Sequence, residues 1–368
     1  MNKENIMNKI SKLIKLLNLL ILLSFFACGG GGGGSDDPGD NPATAFEVIN
    51  GNIYTYTLPD GTVFKAMLTP DIAASNTFPC NIDADNDYDE ATDAVNVPAR
   101  FIMGETEVTY ELWYEVYKWA TTDEGSGKRA DGGDLYRFAN EGREGSDGID
   151  GAAPTTAKQE PVTYLNWSDS IVWCNALTEY YNANNGAETD LVCVYTSNGA
   201  IIRDSEDSNA TVCGNAIQSS TAKGFRLPTS TEWEYAARYI GTSALSHTNS
   251  VLKDSVYYLK GNSASGATAD FSDTSATSNV AVYGVSSTAA VKSKGATGAN
   301  ELGLYDMSGN VWEWCFDWHP YYSGSRRVVH GGSYYINNSE YDTQVGYVCY
   351  KEPIAETYTV GFRFCRTK

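Results

Sequence analysis

Residues 303–318, GLYDMSGNVWEWCFDW, limit the possible folds of this chain more than any other stretch. Trp312, Trp314 and Trp318 follow turns punctuated by Gly303 and Gly309 and alternate as a strand does, with large rings on one face. Each indole buries on the order of 200 Å2, so such a strand must lie against a large apolar core. Asp306 and Glu313 bracket the second glycine turn. Their carboxylates, with the carbonyls between them, have the chemistry to surround one hard cation. Equally, Asp306 caps the turn and Glu313 pairs with an arginine.

The first part of the 368 residues does not contribute to that core. Lys3, Lys9, Lys12 and Lys15 precede an apolar run from Leu16 to Ala27 that ends at Cys28. A charged start, a short apolar run and a small residue at the cut describe a secretory signal over residues 1–27, too short to span a bilayer. The segment SFFAC is similar to a lipobox, which makes Cys28 the expected lipidation site and a lipid anchor the only expected membrane contact. Residues 28–45, rich in Gly and Asp, read as a solvated tether. The expectation is an exported lipoprotein of the outer membrane or cell surface, with residues 46–368 as its single folded domain.

A formal net charge of −20 excludes nucleic acid and anionic lipid surfaces as partners. Seven cysteines follow Cys28, and an odd number leaves at least one thiol outside any disulfide. Cys193 and Cys213 flank a polar insertion and are the first candidate pair, with connectivity otherwise open. There are 25 Tyr against 12 Phe, which places many rings where a polar tip meets water or a ligand.

Residues 52–68 alternate apolar and polar around Pro59, Asp60 and Gly61, which predicts a hairpin. Residues 81–90 are acidic but lack the glycine and terminal glutamate of a calcium loop, and read as solvated. Three helices are expected. After Thr109, Leu112, Trp113, Val116 and Ala120 share a face. After Ser168, Cys174, Leu177 and Tyr181 do so. Thr229 and Glu232 form a capping box, and Gly241 is expected to stop that third helix. Residues 242–300 read as a long, loop-dominated segment.

Six blocks occur in order: MGETEVTYELW (103–113), PVTYLNWSDSIVWCNAL (161–177), GFRLPTSTEWEYAAR (224–238), the tryptophan block, HGGSY (330–334) and GFRFCR (361–366). Together they resemble the formylglycine-generating enzyme, or sulfatase-modifying-factor, family. The resemblance implies one irregular α+β domain of C-type-lectin-like fold with long loops. It also implies a structural calcium held by Asp306, Gly309, Val311 and Glu313. The family's enzymes oxidise a substrate cysteine at a copper-binding cysteine pair just after the GGS turn. Here Ile336 and Tyr341 stand at those positions. Neither side chain offers Cu(I) a thiolate, so no copper is expected. The family's iron-dependent branch uses a three-histidine module, and this chain has only His247, His319 and His330.

What fills residues 329–360 instead is Tyr, Asn, Ser, Asp and Thr between the anchors Gly331-Gly332-Ser333 and Gly361-Phe362-Arg363. Antibody paratopes use the same residue types, rigid amphipathic rings with adaptable amides and hydroxyls. The stretch is similar to the hypervariable region of diversity-generating-retroelement variable proteins, and the chain as a whole resembles the surface-displayed variable lipoproteins of treponemes. The candidate binding residues are His330, Tyr334, Tyr335, Asn337, Asn338, Tyr341, Asp342, Tyr347, Tyr350 and Tyr358, all after His330 expected to expose their side chains around one surface patch. The expected function is non-catalytic binding of a protein or glycan ligand. The alternative is a sulfatase-modifying-factor-type oxidase, which the missing cysteine pair disfavours.

Overall fold

The computed structural model describes residues 46–81, 94–122, 125–127, 135–155, 159–185, 190–206, 211–244, 247–335 and 340–368. Cys28 and the tether, the acidic loop at 82–90, and Ile336, Asn337 and Asn338 lie outside them. Residues Ala45–Lys368 form one compact unit.

A six-stranded antiparallel sheet gathers the two ends of this unit. Its order is Glu47–Asn50, Ile53–Thr57, Val63–Leu68, Phe101–Gly104, Cys365–Thr367 and Phe225–Arg226. The expected hairpin is its second and third strands, in register from Ile53↔Met67 to Thr57↔Val63. The Asp60 carboxylate accepts the Thr62 N–H at 2.9 Å and Gly61 turns at φ +93°. Tyr54 and Tyr56 point inward, as alternation requires.

Three helices pack beside this sheet and a second one. Tyr110–Ala120 is capped by Thr109 and buries Leu112, Trp113, Val116 and Ala120 as expected. Trp167–Asn184 starts two residues earlier than expected, because Asn166 and Asp169 form a reciprocal capping box. It is buried on nearly every side rather than along one stripe. Trp173 stacks on Trp113 at 5.9 Å while Phe362 meets both rings edge-on. Ser230–Arg238 has the predicted Thr229/Glu232 box. Gly241 is not its stop: the backbone turns extended at Tyr239, and Tyr239–Gly241 pairs with Val256–Leu259. Ser250–Lys253 completes that small sheet, so residues 242–300 hold a hairpin that their composition hides.

The tryptophan strand Trp312–Trp318 lies in a four-stranded sheet of order Cys349–Lys351, Arg327–His330, Trp312–Trp318, Val360–Gly361. The last pair is parallel. The chain therefore leaves this sheet at one edge after Lys351 and returns at the opposite edge at Val360. On the way the Pro353 carbonyl accepts the Trp167 N–H and the Thr357 carbonyl accepts the Tyr164 N–H, both at 3.1 Å. The crossing segment is thus pinned over the start of the helix Trp167–Asn184.

Trp113, Trp233 and Trp312 are all buried. No disulfide joins Cys193 to Cys213. Each lies buried, its thiol directed at a different carbonyl, Asn175 for one and Asp204 for the other. No helix among the described residues is long and apolar enough to cross a membrane.

Candidate functional site

The glycine turn that opens the candidate region is obligatory. Gly331 and Gly332 have φ of +96° and +79°, and a Cβ on Gly332 would meet the Asp342 carbonyl at 2.7 Å. The turn directs His330 inward. That ring stacks on Trp233 at 4.6 Å, and its Nε2 lies 2.8 Å from the Ser230 hydroxyl. Burial pushes the imidazole down to about 3, so it is neutral at physiological pH. His330 is therefore a core residue and not a surface contact.

Tyr334 is also corrected. Only 2% of it is exposed, its N–H bonds the Asn310 carbonyl, and its own carbonyl accepts from Val285. The ring serves as a base for Tyr335, which is 48% exposed and meets it edge-on at 6.1 Å. From Tyr335 the rings continue to Tyr358, 39% exposed, at 5.8 Å, and from Tyr358 to Tyr164 at 6.2 Å. Arg143 lies over the Tyr164 ring at 3.6 Å and is paired with Asp150. A ladder of tyrosines ending in an ordered arginine results.

Sequence reasoning missed Tyr164 and Arg143. Tyr164 sits within the block PVTYLNWSDSIVWCNAL, far in sequence from the candidate region. Its φ of +53° is unusual for a bulky residue, and no sequence pattern reports it.

The remaining candidates do not join the ladder. Tyr350 belongs to a second cluster at the far end of the crossing segment, 4.5 Å from Tyr322 and 4.8 Å from His319. Tyr341 and Tyr347 meet at 5.2 Å, and Tyr347 reaches Trp312 at 6.0 Å, forming a third, half-buried group with Asp342 nearby in sequence. The single patch expected from sequence is in fact a band that follows the crossing segment, with ring clusters at its two ends.

Beneath the band lies an acidic centre. Glu107, Asp306 and Glu313 are all buried, with Arg363 the buried base among them. Glu313 accepts from Arg363 and from the Trp233 indole at 2.7 Å. Asp306, at φ +54°, accepts the Lys292 N–H at 2.7 Å. Burial pushes Asp306 up to about 6, and burial with the neighbouring charges of Asp306 and Glu313 raises Glu107 strongly. Among the described residues no three His, Cys, Asp or Glu side chains are grouped to hold a metal ion. A cation at the expected place would need the carbonyls of Gly309 and Val311 as well. The donors are hard oxygens of the type calcium takes, but both Glu313 oxygens are held by Arg363, the arginine pairing that the sequence also allowed, so a cation would have to share that carboxylate. Copper has no such fit: Tyr341 is a phenol packed against Phe271 and Tyr347, and Cys349 is a single half-buried thiol raised by burial.

The family model for the sulfatase-modifying factor enzyme 1-like domain matches residues 72–368. The formylglycine-generating enzyme of Streptomyces coelicolor is 35% identical over 133 residues, covering 32% of this chain and 38% of that protein. The chaperone protein LppX of Paenibacillus barcinonensis is 31% identical over 172 residues, covering 45% of this chain and 54% of that one. The chain thus matches about half or less of the length of these curated relatives. Among solved structures, Treponema denticola variable protein 1 superposes with a TM-score of 0.55 at 25% identity, covering 86% of this chain and 99% of that one. CarF does so with a TM-score of 0.53 at 22% identity, covering 83% and 98%. The mixed α+β architecture with long loops is that of the C-type-lectin-like fold of these proteins. This chain belongs to the sulfatase-modifying factor enzyme 1-like family and is similar in structure to a treponemal variable protein.

Proposed function

We propose that this protein is a non-catalytic binder: a lipoprotein anchored through Cys28 that presents the tyrosine band to a protein or glycan ligand outside the cell. One observation carries the reading. Ile336 and Tyr341 replace the thiol pair, and the same region instead displays the ladder Tyr335–Tyr358–Tyr164. Rings already ordered by one another and by the glycine turn lose little entropy on contact, which suits recognition. The likeness to Treponema denticola variable protein 1 supports the further proposal that residues 329–360 are diversified in the genome.

In this reading Asp306, Gly309, Val311 and Glu313 hold a structural calcium that firms the floor of the band. An ion bound only to the native state stabilises it by mass action, so chelation should lower the melting temperature. An unchanged melt would remove the ion from the account.

The competing oxidase reading draws on the formylglycine-generating relative. Copper-loaded protein mixed with a cysteine peptide in an oxygen electrode separates the two. The binder reading predicts no oxygen uptake above buffer. Uptake that stops in Cys349→Ser would replace it with an enzyme.

A further inference from the structure

Away from the ladder, the far end of the crossing segment borders a cavity of about 770 Å3, within the range of small-molecule sites. Trp318 and Tyr322 supply ring faces to its wall, Ile354 an apolar edge, and Ser168 and Asn215 polar groups. Arg326 also lines it. That guanidinium lies against a pair of touching rings, 5.0 Å from Tyr322 and 4.7 Å from Tyr350. Among the described residues its N–H groups make no hydrogen bond. Its one ion-pair contact among the described residues is Glu352 at 4.0 Å, and that carboxylate is largely exposed. An arginine fork already oriented by stacking, with its donors unspent, is suited to a bidentate anion.

A second cation lies behind the wall. Arg327 is sandwiched between Trp318 at 3.4 Å and Trp167 at 3.7 Å, and its Nε has no hydrogen-bond partner. Among the described residues no carboxylate reaches it within ion-pair distance, though burial lowers it only to about 9 and leaves it charged at neutral pH. It fixes the Trp318 ring and adds positive potential to the cavity. The lining charges, Arg326 and Glu352, balance, so in a protein of net charge −20 this aromatic-walled cavity is locally neutral with Arg327 behind it.

We propose that this cavity binds an acidic sugar, with the carboxylate on Arg326 and the ring face of the sugar against Trp318 and Tyr322. Aromatic faces accept the C–H side of a pyranose, the Ser168 and Asn215 side chains accept or donate to its hydroxyls, and the fork selects the carboxylate over a neutral sugar. The proposal rests on the reading of the chain as a binder but places recognition away from Tyr335 and Tyr358.

The test is calorimetric titration of the full chain with three probes, oligosaccharides ending in glucuronate, galacturonate or N-acetylneuraminate. A neutral galactose trimer and a peptide ending in a phenylalanine carboxylate serve as comparisons. At least one acidic sugar should saturate the site, and the neutral trimer should bind at least ~10-fold more weakly. Arg326→Ala should weaken the acidic sugar ~10-fold or more with an unchanged melt, Arg326→Lys should restore only part, and Tyr335→Ala should have no effect. Three results overturn the proposal: no saturation by any acidic sugar up to about 10 mM, an unaffected Arg326→Ala, or a preference for the peptide. If the sugars fail while codons of the tyrosine band vary between cells, the cavity assignment falls and the binder reading stands.

Discussion

Arg363 and Glu313 form an ion pair at 2.7 Å with side chains 0% and 1% exposed. Arg363 also donates to the carbonyls of Gly104 and Tyr305, and Glu313 accepts from Trp233. The pair therefore ties together the end of an interior strand of the six-stranded sheet, the glycine turn and the tryptophan strand. Removing one partner strands a buried charge. Glu313→Ala is expected to cost about 3–5 kcal/mol in urea unfolding. A loss below about 1 kcal/mol would mean that the pair is not holding these elements.

Tyr334 and Tyr335 are neighbours with opposite fates. Tyr334→Ala empties a core position and should cost about 3 kcal/mol or more. Tyr335→Ala removes an exposed ring and should leave the melt within ~0.5 kcal/mol, while weakening a ligand by about 2 kcal/mol. Equal effects on stability would contradict the assignment of one as floor and the other as contact.

His330 gives the pH dependence a definite sign. An unfolded histidine takes its proton near 6.5, but the buried ring titrates at about 3. Between these values the unfolded chain binds the extra proton, so stability is lost as pH falls from about 6.5 toward 3, by on the order of 5 kcal/mol from this group. The buried carboxylates of Asp169, Glu234 and Asp317 are raised and act in the opposite direction. The difference between wild type and His330→Gln isolates the histidine: the variant should lose less stability on acidification. Parallel curves would show that the imidazole is protonated in the folded state.

Much of the frame was legible because local signals and tertiary packing agree. Thr109 and Thr229 cap helices whose stripes face the core, and Pro59-Asp60-Gly61 turns a hairpin in the register that alternation demands. The helix at Trp167 hid its extent because it is buried all round and so shows no stripe. In the candidate region the residue types were informative but their directions were not. Tyr334 and Tyr335 look alike in sequence, and only the turn at Gly331 and Gly332 decides which ring goes inward. Tyr164 and Arg143 were invisible for a different reason: they join the band across more than 190 positions of sequence, through a hydrogen bond to Thr357 and a tilted ring contact with Tyr358.

The central claim is that a family scaffold has exchanged redox chemistry for a surface of displayed, varied side chains. Deep sequencing of the 3′ coding end across a growing population, read beside its flanking DNA, tests this most directly. The account predicts a near-copy of this end nearby and substitutions opposite template adenines at the codons of exposed residues such as Tyr335 and Tyr358, with Gly331, Gly332, Phe362 and Arg363 unchanged. A uniform sequence with no such copy, or substitutions spread evenly over buried and exposed codons, would contradict it.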